Sequence, residues 1–92
     1  MFSYDISDEL KEIIRKLNKK DRKRALIIAN KIQEIINNNN ETIERYTNLR
    51  YDLKEYKHVH IDKSFVLVFK VFKDKNFILF DKLDHHDKIY KR

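Results

Sequence analysis

The four histidines of this sequence stand in two pairs, His58 and His60 in "YKHVHID" and His85 and His86 in "LDHHDK". Because the ordinary pKa of imidazole lies near neutrality, two histidines that meet in a fold can act as general base and general acid in one reaction. Cleavage of RNA without a metal needs such a pair, together with Lys or Arg to stabilise the charge on the phosphate. The pairs therefore predict phosphodiester chemistry, provided that the fold brings them together.

Two other interpretations of the same histidines stay open. Zinc is the rival chemistry, since "HVH" offers two possible ligands on one strand face, although a catalytic zinc site needs a third protein ligand. An exposed histidine is also commonly no more than a surface residue. The sequence contains no Ser/His/Asp signature, phosphate-binding Gly-rich loop or zinc ribbon, and this excludes several common enzyme classes.

Length and charge limit the setting in which such a site could work. The 92 residues predict one domain, 1–92, and the absence of cysteine favours an intracellular protein. Neither a signal peptide nor a run of about 20 apolar residues is present, so we expect a cytoplasmic protein without a membrane span. The formal net charge of +6 favours polyanions or acidic protein partners. The basic run "RKLNKKDRKR" fits a solvated helical surface and a phosphate-contacting patch equally well.

The hydrophobic pattern predicts an α+β fold in the order β-α-α-β-β-β. Residues 2–7 alternate as a short strand, and Ser7 can cap a helix whose apolar stripe is followed by a second helix over about 20–37, with "NKK" as the connection. The segment 41–52 has no persistent period and is predicted to be a long loop with room for a helical turn. Strands are expected at about 53–61, 64–73 and 76–83, followed by a short tail. Two antiparallel helices would then pack on a mainly antiparallel sheet.

Strand alternation determines which way the first histidine pair points. In the strand 53–61, Lys57 shares one face with Val59 and Ile61, whereas His58 and His60 share the other. If the apolar face meets the helices, the histidines face outward. The second pair follows the last strand of the same sheet, so both pairs could line one face.

The layout, with "LRYDLKEYKHVHIDKSFVLVFKV" and the terminal "LDHHDKIY", resembles the RelE/ParE toxin superfamily and, within it, the YafQ-like branch of ribosome-dependent mRNA interferases. The resemblance covers essentially the whole chain. It is most specific from Leu49 to Phe69, and again at His86 and Tyr90, where the family has a histidine followed four residues later by an aromatic. It implies a RelE-like fold and a type II toxin that cleaves mRNA without a metal or cofactor. It also implies a cognate acidic antitoxin, the ribosome and mRNA as partners.

Position by position, the resemblance implies that His60 and His86 are the catalytic pair. Arg50, Lys54 and Lys82 are expected near the phosphate, and Tyr90 is expected to stack on a base. His58 has no family counterpart and is expected to support the RNA-binding surface on the face that it shares with His60. Lys57 matches a basic family position but is turned toward the core by alternation, which favours a structural role. The chain departs from the family pattern where Thr47 and Ser64 replace a histidine and an aspartate. Alternatives are a ParE-like inhibitor of DNA gyrase that lacks nuclease activity and a degenerate basic nucleic-acid-binding module.

Overall fold

A computed structural model describes residues 1–90, with Tyr90 described by its backbone alone. The helices and strands are β1 Ser3–Ile6, α1 Asp8–Lys20, α2 Arg22–Ile36, β2 Thr47–Asn48, β3 Tyr56–Ile61, β4 Phe65–Phe72, β5 Phe77–His85 and α3 His86–Tyr90. Within these residues the strands form one sheet in the order β1-β5-β4-β3-β2, in which β1 runs parallel to β5 and every other pair is antiparallel. The predicted α+β class and order of the main elements are confirmed.

Two capping side chains determine where the first two helices begin. Ser7 accepts a hydrogen bond from the Leu10 N–H, and acidic residues occupy the first turn of α1, where they favour the positive end of the helix dipole. Asp21 ends α1 and caps α2 by accepting from the Arg24 N–H. The prediction that "NKK" connects the helices is wrong. Those residues complete the last turn of α1, because the Asp21 carboxylate can start a new helix at once.

The central strand β4 is buried on both faces, as its unbroken apolar run predicts. Leu67 and Phe69 face the helices and belong to the main core with residues such as Ile28. Val66 and Val68 face the other way and form a second apolar cluster. That cluster is completed by Leu49, Tyr56 and Ile89.

The C-terminal segment is where the structure differs most from the sequence-based expectation. The last strand does not end at 83 but continues to His85, and the expected tail is the short helix α3. Val68 pairs with Lys82 and Phe69 with Phe80, so Asp81 is the extra residue of a β-bulge in β5. After the extra residue, the side chains of β5 alternate between the two faces of the sheet in the opposite phase, so Leu83 faces the core.

The segment 41–52 is also more ordered than a plain loop. It contains the 3₁₀ turn Thr42–Arg45 and the strand β2, which pairs with β3, and a second 3₁₀ turn, Tyr51–Leu53, begins at its end. No helix of the described part of the chain is long and apolar enough to cross a membrane.

Candidate active site

His60 and His86 meet on the outer face of the sheet, opposite α1 and α2. Their ring centroids are 5.7 Å apart and the rings are tilted by 30°, which makes a stacked pair. His60 reaches this face by strand alternation and is exposed. His86 reaches it because its backbone N–H donates to the Ser64 carbonyl at 2.7 Å, which ties the start of α3 to the β3–β4 turn. Two residues 26 positions apart are thus brought together by one backbone hydrogen bond and one hairpin.

His58 extends this pair into a row of three imidazoles. Its ring lies 6.2 Å from that of His60 and nearly perpendicular to it. Burial lowers the pKa of His58 below its usual value, the nearby His60 lowers it further, and a hydrogen bond with the Thr47 backbone opposes both effects. At neutral pH a neutral His58 is favoured, and it suits a positioning role better than that of a phosphate-binding cation.

The two neighbouring histidines of the second pair point to opposite faces. His85 packs its ring edge against Phe65, which belongs to the helix side of the sheet. Its Nδ1 lies 3.8 Å from one Asp87 oxygen, and the His86 Nδ1 lies 3.5 Å from the other. His85 and His86 are similarly exposed, so they differ mainly in the face that they occupy.

A groove lies beside the histidines on the same face of the sheet. It has a volume of about 230 Å³, with apolar walls from Tyr56, Val68 and Ile89 and a charged rim that includes Lys82 and Lys88. Val68 pairs with His58 on one side and Lys82 on the other, so groove and histidines are neighbours in the sheet. No pattern in the sequence indicates this groove, because it depends on α3 folding back over β4.

The other predicted residues occupy the rim or lie elsewhere. Arg50 and Lys54 flank the exposed turn Tyr51–Leu53, whose Leu53 lines the groove. The side chain of Tyr90 lies outside the described residues. Thr47, at the position of the expected loop histidine, sits directly across from His58 in the sheet.

Lys57 lies on the helix side of β3, as alternation predicts, and is 4% exposed. Its ammonium donates to Asn48 Oδ1 at 2.8 Å, to the Tyr46 carbonyl at 3.0 Å and to Glu44 Oε1 at 3.2 Å. These bonds satisfy all three of its donors and hold β2 and the preceding turn against β3. The predicted structural role of Lys57 is confirmed.

The carboxylate of Asp62, in the β3–β4 turn, is engaged in the fold. Asp62 accepts from the Ser64 N–H and from Arg24, and both contacts lower the pKa of its carboxyl group. It therefore does not substitute in the histidine row for the aspartate that Ser64 replaces. Among the residues described, no group of three or more His, Cys, Asp or Glu side chains could hold a metal ion.

Comparisons with known proteins agree with this architecture. No family model matches the sequence. A protein of Methanocaldococcus jannaschii named "Putative toxin RelE4" is 44% identical over 92 residues, which cover 100% of this chain and 94% of that protein. An uncharacterised protein of Methanosarcina mazei is 41% identical over 90 residues, covering 98% and 100% of the two chains.

Solved structures share the fold at low sequence identity. Escherichia coli YafQ matches with a TM-score of 0.70 and 16% identity over 98% of this chain and 99% of that one. A histidine-to-glutamine mutant of YafQ matches with a TM-score of 0.72, 15% identity and the same coverage. A conserved hypothetical protein of Helicobacter pylori gives 0.59 and 18% identity, covering 96% of this chain and 98% of its own.

Proposed function

Because this chain belongs to the RelE family of toxins, we propose that it is a metal-independent endoribonuclease that cleaves mRNA in the ribosome and so inhibits translation. It acts as the toxin of a type II toxin-antitoxin system in the cytoplasm. The observation that carries the proposal is the stacked pair of His60 and His86 on an open face of a basic protein.

The histidine pair supplies the two proton transfers that RNA cleavage needs. One imidazole takes the proton of the 2′-hydroxyl as the 2′-oxygen attacks phosphorus. The other gives its proton to the 5′-oxygen as the bond between phosphorus and that oxygen breaks. Two rings 5.7 Å apart leave no room for a phosphate between them, so the phosphodiester lies along their edges. The products are a 2′,3′-cyclic phosphate and a free 5′-hydroxyl.

Cations on the same face stabilise the charge of the pentacoordinate phosphorus. Lys82 is exposed and lies across Val68 from His58, whereas Arg50 and Lys54 approach from the exposed turn beside the groove. These side chains bind the backbone phosphates of the RNA and contribute less to the chemistry than the histidines do. Tyr90 is proposed to stack on a base.

The partners follow from charge and family. The net charge of +6 favours mRNA and ribosomal RNA, and equally an acidic antitoxin. The antitoxin is expected to lay a partly disordered acidic segment across the helices and the sheet, and to fold as it binds.

A translating extract tests the nuclease proposal directly. The unaltered chain should produce discrete cuts in a reporter mRNA, mapped by primer extension. His60→Ala and His86→Ala should each slow cleavage by about 10²–10⁴-fold, the usual contribution of a general acid or base. His85→Ala is the matched control, since it removes a neighbouring histidine of similar exposure from the other face. It should cleave at the unaltered rate.

Three results would contradict the proposal. Equal losses in the His85→Ala and His86→Ala chains would show that the stacked pair has no special role. Intact mRNA together with inhibited DNA supercoiling would favour gyrase inhibition. Binding of RNA with no cuts under any condition would favour a nucleic-acid-binding module.

A further inference from the structure

The groove beside the histidines combines apolar walls with two carboxylates, a combination that phosphate binding alone does not require. Its apolar surfaces come from Tyr56, Val68 and Ile89, and Asp81 and Asp84 stand at its rim. A volume of about 230 Å³ is below the roughly 300–1,000 Å³ of sites for drug-sized ligands, so it suits one planar group. Lys82 and Lys88 line the same groove, and the Asp84 carboxylate also accepts from the His85 N–H, so the groove offers acceptors and donors together to a polar ring that carries hydrogen-bond donors.

The β-bulge places these charges at the groove. Without an extra residue, alternation after Phe80 would send Lys82 toward the core and Leu83 outward. The bulge at Asp81 lets Asp81 and Lys82 both reach the groove, while Leu83 packs in the core. Bulges are common next to active sites, where they re-aim a side chain.

The groove is also continuous with the histidine row. Val68, which forms part of its wall, is the sheet neighbour of His58, and α3 carries both His86 and the groove residue Ile89. A nucleotide with its phosphate at the edges of the histidine rings would therefore have its base within reach of the groove.

We propose that this groove binds a single RNA base and selects bases that carry an exocyclic amino group over uracil, an inference that rests on the proposed ribonuclease function. The base stacks on Tyr56 and the aliphatic walls. An ionised carboxylate only accepts hydrogen bonds, so Asp81 and Asp84 match the amino groups of adenine, cytosine and guanine. Uracil has no exocyclic amino group for these carboxylates, so it keeps only its N3–H and what its two carbonyl oxygens accept from Lys82 and Lys88.

Titration with nucleoside 5′-monophosphates tests the site without depending on cleavage, because they contain no phosphodiester bond to cut. In NMR spectra of the ¹⁵N-labelled chain, AMP, CMP and GMP should shift the backbone amide signals of Val68, Lys82 and Ile89. UMP should bind about tenfold more weakly, at the low end of what a good base contact discriminates.

Paired substitutions separate base recognition from general charge effects. In a chain with both Asp81→Asn and Asp84→Asn, loss of negative charge should strengthen binding of all four nucleotides. The new Asn side chains can also donate hydrogen bonds to the carbonyl oxygens of uracil, so the preference against UMP should disappear. Asp74→Asn is the matched control, because Asp74 is exposed on the β4–β5 turn, and it should keep the preference.

The outcomes distinguish this inference from the proposed function. Equal affinity for the four nucleotides, or an unchanged preference in the double variant, would overturn the base site even if mRNA is cut. If the chain binds AMP, CMP and GMP more tightly than UMP but cuts no mRNA, the base site is supported and the ribonuclease proposal is overturned.

Discussion

Replacement of the buried Lys57 by methionine should destabilise the protein although it removes a buried charge. Met has nearly the same length, so the packing of β3 is kept while three donors are lost. Glu44 is exposed, and so is Asn48, so water can replace the ammonium at their side chains. The Tyr46 carbonyl is bonded to Lys57 in a buried position, and water cannot replace that donor.

The magnitude follows from these contacts. An acceptor left unsatisfied in the interior costs about 1–3 kcal/mol, and lost bonds to a charged donor about as much. The desolvation penalty of the ammonium is recovered at the same time and offsets part of this. We expect a net loss of about 2 kcal/mol, which corresponds to a fall in Tm of about 8–16 °C for a domain of this size.

Urea unfolding followed by circular dichroism measures the change. The matched control is Lys63→Met in the exposed β3–β4 turn, where we expect a change within about 0.5 kcal/mol. If Lys57→Met were as stable as the unaltered chain, the reasoning would be refuted, because the buried ammonium would then contribute no net stability. A loss restricted to the protection of segment 44–48 in hydrogen exchange would mean that Lys57 holds β2 without stabilising the whole fold.

Two further predictions concern histidine titration and capping. The pKa of His58 in the folded chain is lowered below 6.5, so the unfolded chain binds more protons at this residue and the unfolding free energy falls as the pH drops from about 7 to 5. His58→Gln should make this fall smaller, whereas His85→Gln should leave it unchanged. Identical pH profiles of the two variants would contradict the prediction. Ser7→Ala removes the cap of α1 and the hydroxyl bond to the Asp81 carbonyl, and should cost about 1–2 kcal/mol in urea unfolding. Ser3→Ala, an exposed change in β1, is its control, and equal losses would count against the capping role.

The strongly periodic segments were predictable because the spacing of apolar residues within a segment shows which of its faces are buried. The apolar stripes of α1 and α2 and the two-sided apolar run of β4 each predict their element. Alternation along β3 was enough to turn Lys57 inward and His60 outward.

Other features were missed because their signals are short. The bulge at Asp81 does leave a trace in the sequence. The core residues Ile78 and Phe80 are two positions apart, as in a regular strand, whereas the next core residue, Leu83, follows Phe80 by three positions. The two-residue strand β2 and the helix α3 have too few residues to show a period.

By itself, the sequence determined the fold class, the face on which His58 and His60 lie and the structural role of Lys57, because each depends on periodicity along one element. The resemblance already paired His60 with His86, but only the tertiary structure showed that their rings stack while His85 turns to the other face, and that a groove with two carboxylates opens beside them. Both depend on how α3 folds back onto the sheet through the bond between His86 and Ser64. A contact between segments this far apart leaves no periodic trace in either segment.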